Sequence, residues 1–311
     1  MKIVLAVPRG FCAGADRAIE VVERALGIFG PPIYVRHEIV HNRRVVDGLR
    51  AKGAVFVESV DEIPEGGVVV FSAHGVSLAV RDRAADRGLR AVDATCPLVT
   101  KVHREARRHV EEGLHVLLLG HKGHAEVEGT MGQVAFGSMT LVSGPEEAQA
   151  VRVPDPARVA YVTQTTLSVD EMRDTVGILR RRFPEIRGPL QDDICYATQN
   201  RQAAVKALVK RVQLLLVIGA PNSSNANRLR EVAEACGVAA RLIEGVAGID
   251  DAWFEGVQSV GITAGASAPE SIVQEVVEAL GARYPGSDVE TLEIVREDIE
   301  FPLPKEVSGE A

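Results

Sequence analysis

Short apolar runs alternate along most of the chain with longer stretches in which apolar side chains recur every three or four residues. Ile3–Val7, Val68–Phe71, His115–Leu119, Val159–Val162, Leu214–Ile218 and Val260–Thr263 read as buried strands, each apolar at successive positions and too short for a helix. Ala15–Phe29 sets Ile19, Val22, Leu26 and Phe29 on one helical face. Leu98–Glu111 does so with Val99, Val102, Ala106 and Val110, and Gln199–Val212 with Val205, Leu208 and Val212. Strands alternating with amphipathic helices predict an α/β fold with mostly parallel sheet, because parallel strands need crossover helices and are covered on both faces. Ser168-Val169-Asp170-Glu171 reads as a capping box that starts a helix. Ser267-Ala268-Pro269-Glu270 predicts a serine cap and a proline in the first turn ahead of Ile272–Leu280. The acidic Glu290–Glu300 stretch reads as extended, and Phe301-Pro302-Leu303-Pro304 cannot continue a helix.

Aligning the turns exposes an internal repeat. Gly10-Phe11-Cys12-Ala13-Gly14, Ala94-Thr95-Cys96-Pro97 and Asp193-Ile194-Cys195-Tyr196 each lead into a helical stretch. A polar turn follows each cysteine by 28 or 29 residues: one holds His41, one holds His124, one holds Ser223. A third set of polar turns holds His74, Thr165 and Ser267, 62, 69 and 72 residues beyond the respective cysteines. The spacing predicts three similar modules, with an N-terminal strand and first cysteine turn over 1–12, modules over 13–95, 96–194 and 195–281, and a tail over 282–311. Ligands of open α/β sheets bind beyond the carboxyl ends of the strands. Modules with those ends facing inward would gather three cysteines and six polar turns at one point.

Composition narrows the chemistry. The chain carries 35 basic and 43 acidic residues, a net charge of −8, and only 4% aromatics. It lacks the basic footprint and the stacking platforms of nucleic-acid binders, which excludes that class. No apolar run approaches the ~20 residues of a membrane span, and Ile3–Val7 is too short for a signal-peptide h-region and carries no cleavage-site pattern. The expected location is cytoplasmic, where thiols stay reduced and disulfides are the least expected use of cysteine. Cys236, at the end of a helical pattern, reads as a buried small hydrophobe. Three converging thiolates from Cys12, Cys96 and Cys195 suit zinc with a histidine, or an iron–sulfur cluster with one iron left open. The Asn222–Asn227 turn sets hydroxyls, amides and N–H groups at a helix start, which favours an anion. His41, His74 and His124 in polar turns point to anion or metal contacts, whereas His103, His109 and His115 read as structural or solvated. Glu126, two residues after His124 in a glycine-flanked turn, is the candidate proton donor, given a raised pKa.

Taken together, Pro8–Gly14 with Asp16-Arg17-Ala18, His37–Asn42, Ser72–Gly75, Asp93–Pro97, Gly120–Glu126, Thr163–Asp170, Asp192–Ala197, Asn222–Asn225 and Thr263–Pro269 resemble the LytB-type 4-hydroxy-3-methylbut-2-enyl diphosphate reductases, from Met1 to about Leu280. The resemblance implies a pseudo-threefold trefoil of three α/β modules around a [4Fe–4S] cluster. Cys12, Cys96 and Cys195 would hold that cluster, with the fourth iron not ligated by protein. It implies diphosphate contacts from His41, His74, Ser223, Asn225 and Ser267, with Ser224 close by. His124, Glu126 and Thr165 fall near the hydroxymethyl end, Glu126 giving a proton directly or through Thr165. The implied reaction removes the substrate hydroxyl as water with two electrons and two protons, yielding isopentenyl and dimethylallyl diphosphate. An external one-electron donor, ferredoxin or flavodoxin, is implied too. An iron–sulfur hydro-lyase and a non-catalytic zinc- and phosphate-binding module are the alternatives that the residues alone leave open.

Overall fold

The apolar runs become strands because residues buried on both faces need no polar alternation, and every strand pairing among the described residues is parallel. The computed structural model describes residues 1–309; Glu310 and Ala311, the end of the expected 282–311 tail, lie outside the described residues. In chain order the elements begin with β1 (Lys2–Val7), α1 (Ala13–Phe29), β2 (Ile33–Arg36), α2 (Arg43–Ala51), β3 (Ala54–Val57), β4 (Val68–Phe71), α3 (Leu78–Asp86) and β5 (Arg90–Asp93). There follow α4 (Pro97–Glu111), β6 (His115–Leu119), α5 (Ala125–Met131), β7 (Met139–Val142), α6 (Pro145–Ala150), β8 (Val159–Thr163) and α7 (Val169–Arg182). The last third holds α8 (Tyr196–Leu208), β9 (Leu214–Ile218), α9 (Ser224–Ala235), β10 (Ala239–Ile243), β11 (Ser259–Ala264), α10 (Glu270–Arg283), β12 (Asp288–Glu293) and α11 (Lys305–Ser308).

The chain divides into two compact units, one of Met1–Asp16, His41–Val45 and Tyr196–Glu300, the other of Arg17–Val40, Val46–Cys195 and Phe301–Ala311. The first unit carries a five-stranded sheet ordered β10-β9-β11-β1-β12. Its strands alternate faces. Ile3, Leu5, Leu216 and Ile262 pack with Ile272, Val273 and Val276 of α10, while Val4, Ala6, Leu215 and Val217 pack with Val205 and Leu208 of α8 and Leu229 of α9. Each such side chain, fully buried, contributes roughly 1.5–3 kcal/mol. The second unit carries two sheets, ordered β3-β2-β4-β5 and β7-β6-β8. In the latter, Leu117 and Leu119 face α7 through Val176 and Leu179, and Val116 and Leu118 face α4 through Val102 and Ala106.

All three sheets share one arrangement. β3-β2-β4, β7-β6-β8 and β10-β9-β11 each put the first strand of a set between the second and the third. The α/β class and the repetition expected from the turns therefore have a common topological form.

Three expectations are corrected. The helix expected over Gln199–Val212 runs from Tyr196 and stops at Leu208, where Arg211 N–H closes a tighter turn onto the Leu208 carbonyl so that β9 can begin at Leu214. Ser267 does not cap α10: Pro269 itself occupies the N-cap, with no side-chain cap bond. Cys236 is exposed rather than buried, because it ends α9 as the residue before the left-handed Gly237 (φ 83°).

Two glycines let a helix start directly against a strand end. A Cβ on Gly219, just after β9, would lie 2.4 Å from the Ala226 Cβ, and one on Gly120, just after β6, 2.6 Å from a Val127 methyl. Any other residue there would push α9 or α5 away from its sheet.

Candidate active site

Each candidate thiol stands at a helix start. Cys12 directly precedes α1, Cys96 is the N-cap of α4, and Cys195 directly precedes α8. All three are half-buried and unbridged by disulfides. Their backbone amides are tied in one repeated way: Cys12 N–H donates to the Ala266 carbonyl (3.2 Å), Cys96 N–H to Ala73 (3.0 Å) and Cys195 N–H to Thr165 (3.1 Å). Every cysteine turn is thus fastened to the polar turn that carries Ser267, His74 or Thr165. Soft sulfur donors at helix N-termini, whose N–H groups favour negative charge, are a donor set that fits an iron–sulfur cluster.

An aspartate precedes two of these cysteines and meets opposite fates. Burial acts to raise Asp93, but the Thr95 hydroxyl and Arg81 (2.5 Å) outweigh it and hold the carboxyl below its ordinary range. Burial wins at Asp193 and pushes it to about 6, despite the Thr163 N–H (2.9 Å) and Lys101 (3.2 Å).

In the first unit, the polar turns after β9 and β11 form a set of neutral donors. The Ser223 hydroxyl caps α9 by accepting from Ala226 N–H (3.3 Å) and lies 3.5 Å from the Ser267 hydroxyl. Ser267 donates to the His41 carbonyl (3.0 Å), and the Asn222 amide lies 3.3 Å from His41 Nδ1. Ser224 is the first residue of α9. Asn225 is buried and braces two elements, accepting from Ala266 N–H (2.9 Å) and donating to the Thr198 hydroxyl of α8 (3.2 Å). Hydroxyls, amides and the N-terminus of a 12-residue helix are chemistry that suits an anion.

In the second unit, Glu126 lies in the first turn of α5 and is 3% exposed. One carboxyl oxygen accepts from Thr165 N–H (2.6 Å) and the other from the Thr165 hydroxyl (3.0 Å). Desolvation by burial dominates those bonds and lifts its pKa to about 7. His124 caps α5, its Nδ1 accepting from Glu126 N–H (3.2 Å), which places the neutral ring's proton on Nε2. The His74 and His124 rings meet edge to face, 5.6 Å between centroids. His74 Nδ1 lies 3.3 Å from the Ser72 hydroxyl.

The structure therefore joins Ser223, Ser267 and His41 in one unit, and Glu126, Thr165, His124 and His74 in the other. His103 and His109 are buried on α4, and His115 bonds Thr140 (2.8 Å), as structural histidines do. Thr198 and Asp193 bond to site residues without having been singled out. The aspartates ahead of both Cys96 and Cys195 were the available signal for Asp193; nothing in the sequence marked Thr198.

The LytB protein family matches residues 3–281 of the chain. A 4-hydroxy-3-methylbut-2-enyl diphosphate reductase from an Azoarcus species is 60% identical over 306 residues, covering 98% of this chain and 97% of that protein. The reductase of that name from Bordetella bronchiseptica is 60% identical over 308 residues, covering 99% and 94%. The solved structure of the Plasmodium falciparum E-1-hydroxy-2-methyl-but-2-enyl-4-diphosphate reductase superposes with a TM-score of 0.94 at 36% identity, covering 98% of this chain and 96% of that one. With one family spanning nearly the whole sequence and a solved relative sharing its fold, the chain belongs to the LytB protein family.

Proposed function

We propose that this chain is a 4-hydroxy-3-methylbut-2-enyl diphosphate reductase, removing the substrate hydroxyl reductively as water and releasing isopentenyl and dimethylallyl diphosphate. The observation that carries the reading is the sealed Glu126 carboxyl, still protonated near neutral pH and gripped through both oxygens by Thr165. Hydroxide is a poor leaving group, so a reaction that expels it needs a proton held ready at the site. With Glu126 protonated on the oxygen beside Thr165, the bond between them reverses, the carboxyl donating to the Thr165 hydroxyl oxygen, and Thr165 passes the proton on by donating its own to the departing oxygen. His124, through Nε2–H, orients the hydroxymethyl end. Ser223, Ser267, Asn225, His41 and His74 bind the diphosphate, with Ser224 at the same helix start, and the hydroxyl and amide donors solvate its charge together with the helix N-terminus.

Cys12, Cys96 and Cys195 would hold a [4Fe–4S] cluster whose fourth iron has no protein ligand. Such a cluster supplies electrons one at a time and a Lewis-acidic iron. Its electrons come from an external one-electron donor, ferredoxin or flavodoxin. We take residues 13–95, 96–194 and 195–281 as three copies of one module, supported by the shared strand order. The reading places the protein in the cytoplasm; among the described residues no helix is long and apolar enough to cross a membrane.

The test is anaerobic purification followed by metal and acid-labile sulfide analysis, then product counting with an artificial reductant. Iron, sulfide and two electrons consumed per product support the reading. Zinc in place of iron, or product formed without electron consumption, overturns it.

A further inference from the structure

Three cations make the same contact at three places in the chain. Arg17 lies on α1, five residues beyond Cys12; its Nη1 donates to the carbonyls of Ala94 (3.2 Å) and Thr95 (3.1 Å), the two residues before Cys96. Lys101 lies on α4, five residues beyond Cys96; its Nζ donates to the carbonyls of Gln191 (2.6 Å) and Asp192 (3.1 Å) and to the Asp193 carboxylate (3.2 Å), just ahead of Cys195. Arg201 lies on α8, six residues beyond Cys195; it donates to the carbonyls of Gly10 (2.8 Å) and Phe11 (3.1 Å), the two residues before Cys12. Each helix that follows a cysteine therefore carries a cation that grips the main chain ahead of a cysteine turn.

We infer that Arg17, Lys101 and Arg201 are positioning residues, each holding in place the main chain of one thiol-bearing turn. The inference rests on the reading of Cys12, Cys96 and Cys195 as cluster ligands. Main-chain carbonyls in a turn are acceptors that a charged donor holds more firmly than a neutral one. Each turn is then fixed from two sides: the cysteine amide donates to a polar turn, and the carbonyls before it accept from a cation. Two of the cations are themselves pinned by the C-terminal segment. Arg17 Nε donates to the Pro302 carbonyl (2.7 Å), and Arg201 Nη1 pairs with both Glu297 oxygens (3.0 and 3.1 Å). Arg201 is fully buried, whereas the Lys101 side chain is 31% exposed. Lys101, a single ammonium with no pinning partner from the C-terminal segment among these bonds, is the weakest of the three grips.

The experiment uses anaerobically purified holoenzyme with Lys101→Met and Arg17→Met, which keep much of the side-chain stem and remove the charge, beside Lys101→Arg and Cys12→Ser. Iron release to a chelator is timed, the cluster's midpoint potential is titrated, and the melting temperature of each apoprotein is recorded. The expected result is at least tenfold faster iron release and a more negative potential in both Met variants, apoprotein melting unchanged, and release restored toward wild type in Lys101→Arg. Wild-type release and potential in both Met variants overturn the inference, as does faster release that only tracks a lowered apoprotein melting temperature. Wild-type protein without iron and sulfide, or full cluster content in Cys12→Ser, overturns the ligand reading beneath it instead.

Discussion

In the first unit, Ser223, Ser267, Asn222 and Asn225 bond to one another's elements and to His41, and the set holds only neutral donors and a helix N-terminus. In the second unit, at turns of the same kind beyond the same kind of strand, a carboxyl is sealed from solvent and kept near pH 7. The two regions treat charge in opposite senses. Hydroxyls, amides and a helix N-terminus offer an anion hydrogen-bond donors and a favourable dipole. A proton store works only when desolvation is severe enough to keep a carboxyl protonated.

The sharpest way to break this contrast is Glu126→Gln, which keeps shape and hydrogen bonding but has no acidic proton. Turnover should fall by ~10²–10⁴, while inorganic pyrophosphate binding stays at the wild-type level by calorimetry. Parallel loss of pyrophosphate affinity would merge the two regions into one.

The same substitution should alter stability with pH. Glu126 titrates near 7 in the folded protein against an ordinary 4.5, so the folded state holds the extra proton between those values. Its stabilising contribution is complete below about 4.5 and lost as pH rises through about 7. Relative to the Gln variant, the wild type should lose roughly 3 kcal/mol over that window in denaturant titrations. A flat difference would show that the carboxyl is not sealed.

Ser267→Ala should weaken pyrophosphate by about one to two decades, as expected for a hydrogen bond to a charged group worth roughly 1.5–3 kcal/mol, without moving the pH profile of turnover. Because Ser267 caps no helix, the loss should come without a drop in melting temperature, unlike Ser223→Ala, where the α9 cap goes too. Thr165→Val removes the hydroxyl that passes the proton on but leaves the backbone N–H bond to Glu126, so turnover should fall toward the Glu126→Gln level and the residual activity should shift its pH limb. The hydroxyl bond acts to lower the Glu126 pKa, so the pH limb should move alkaline by under about one unit. Cys236→Ser, at an exposed helix end, should change nothing measured here.

Three of the six apolar runs, Val68–Phe71, His115–Leu119 and Leu214–Ile218, have the same bounds in the structure, and the other three extend by one residue at one or both ends. The Ser168 capping box was legible too, with its hydroxyl accepting from Glu171 N–H. Site residues could be read by type and turn, because serine, histidine and cysteine beyond strand ends carry chemistry wherever they point. Their partners could not. The Glu126–Thr165 pair joins residues 39 apart, and the Arg17, Lys101 and Arg201 contacts end on main-chain carbonyls, which every residue has and no motif records. Ser267 misled for a related reason: a serine before a proline looks like a cap, but its hydroxyl found the His41 carbonyl.

The strand β12 has a consequence for how the protein behaves in a crowd. It lies parallel to β1 from Lys2↔Asp288 to Val7↔Glu293 and forms one margin of the five-stranded sheet. Without it, β1, with the apolar run Ile3–Val7, would present an unpaired backbone edge, the kind of template on which other chains add and aggregate. β12 offers instead an edge bearing Asp288, Glu290 and Glu293, with Glu290 paired to Lys2 (3.0 Å). The acidic strand acts as a gatekeeper, so that a chain cut before Asp288 should self-associate while the intact one stays apart from its copies.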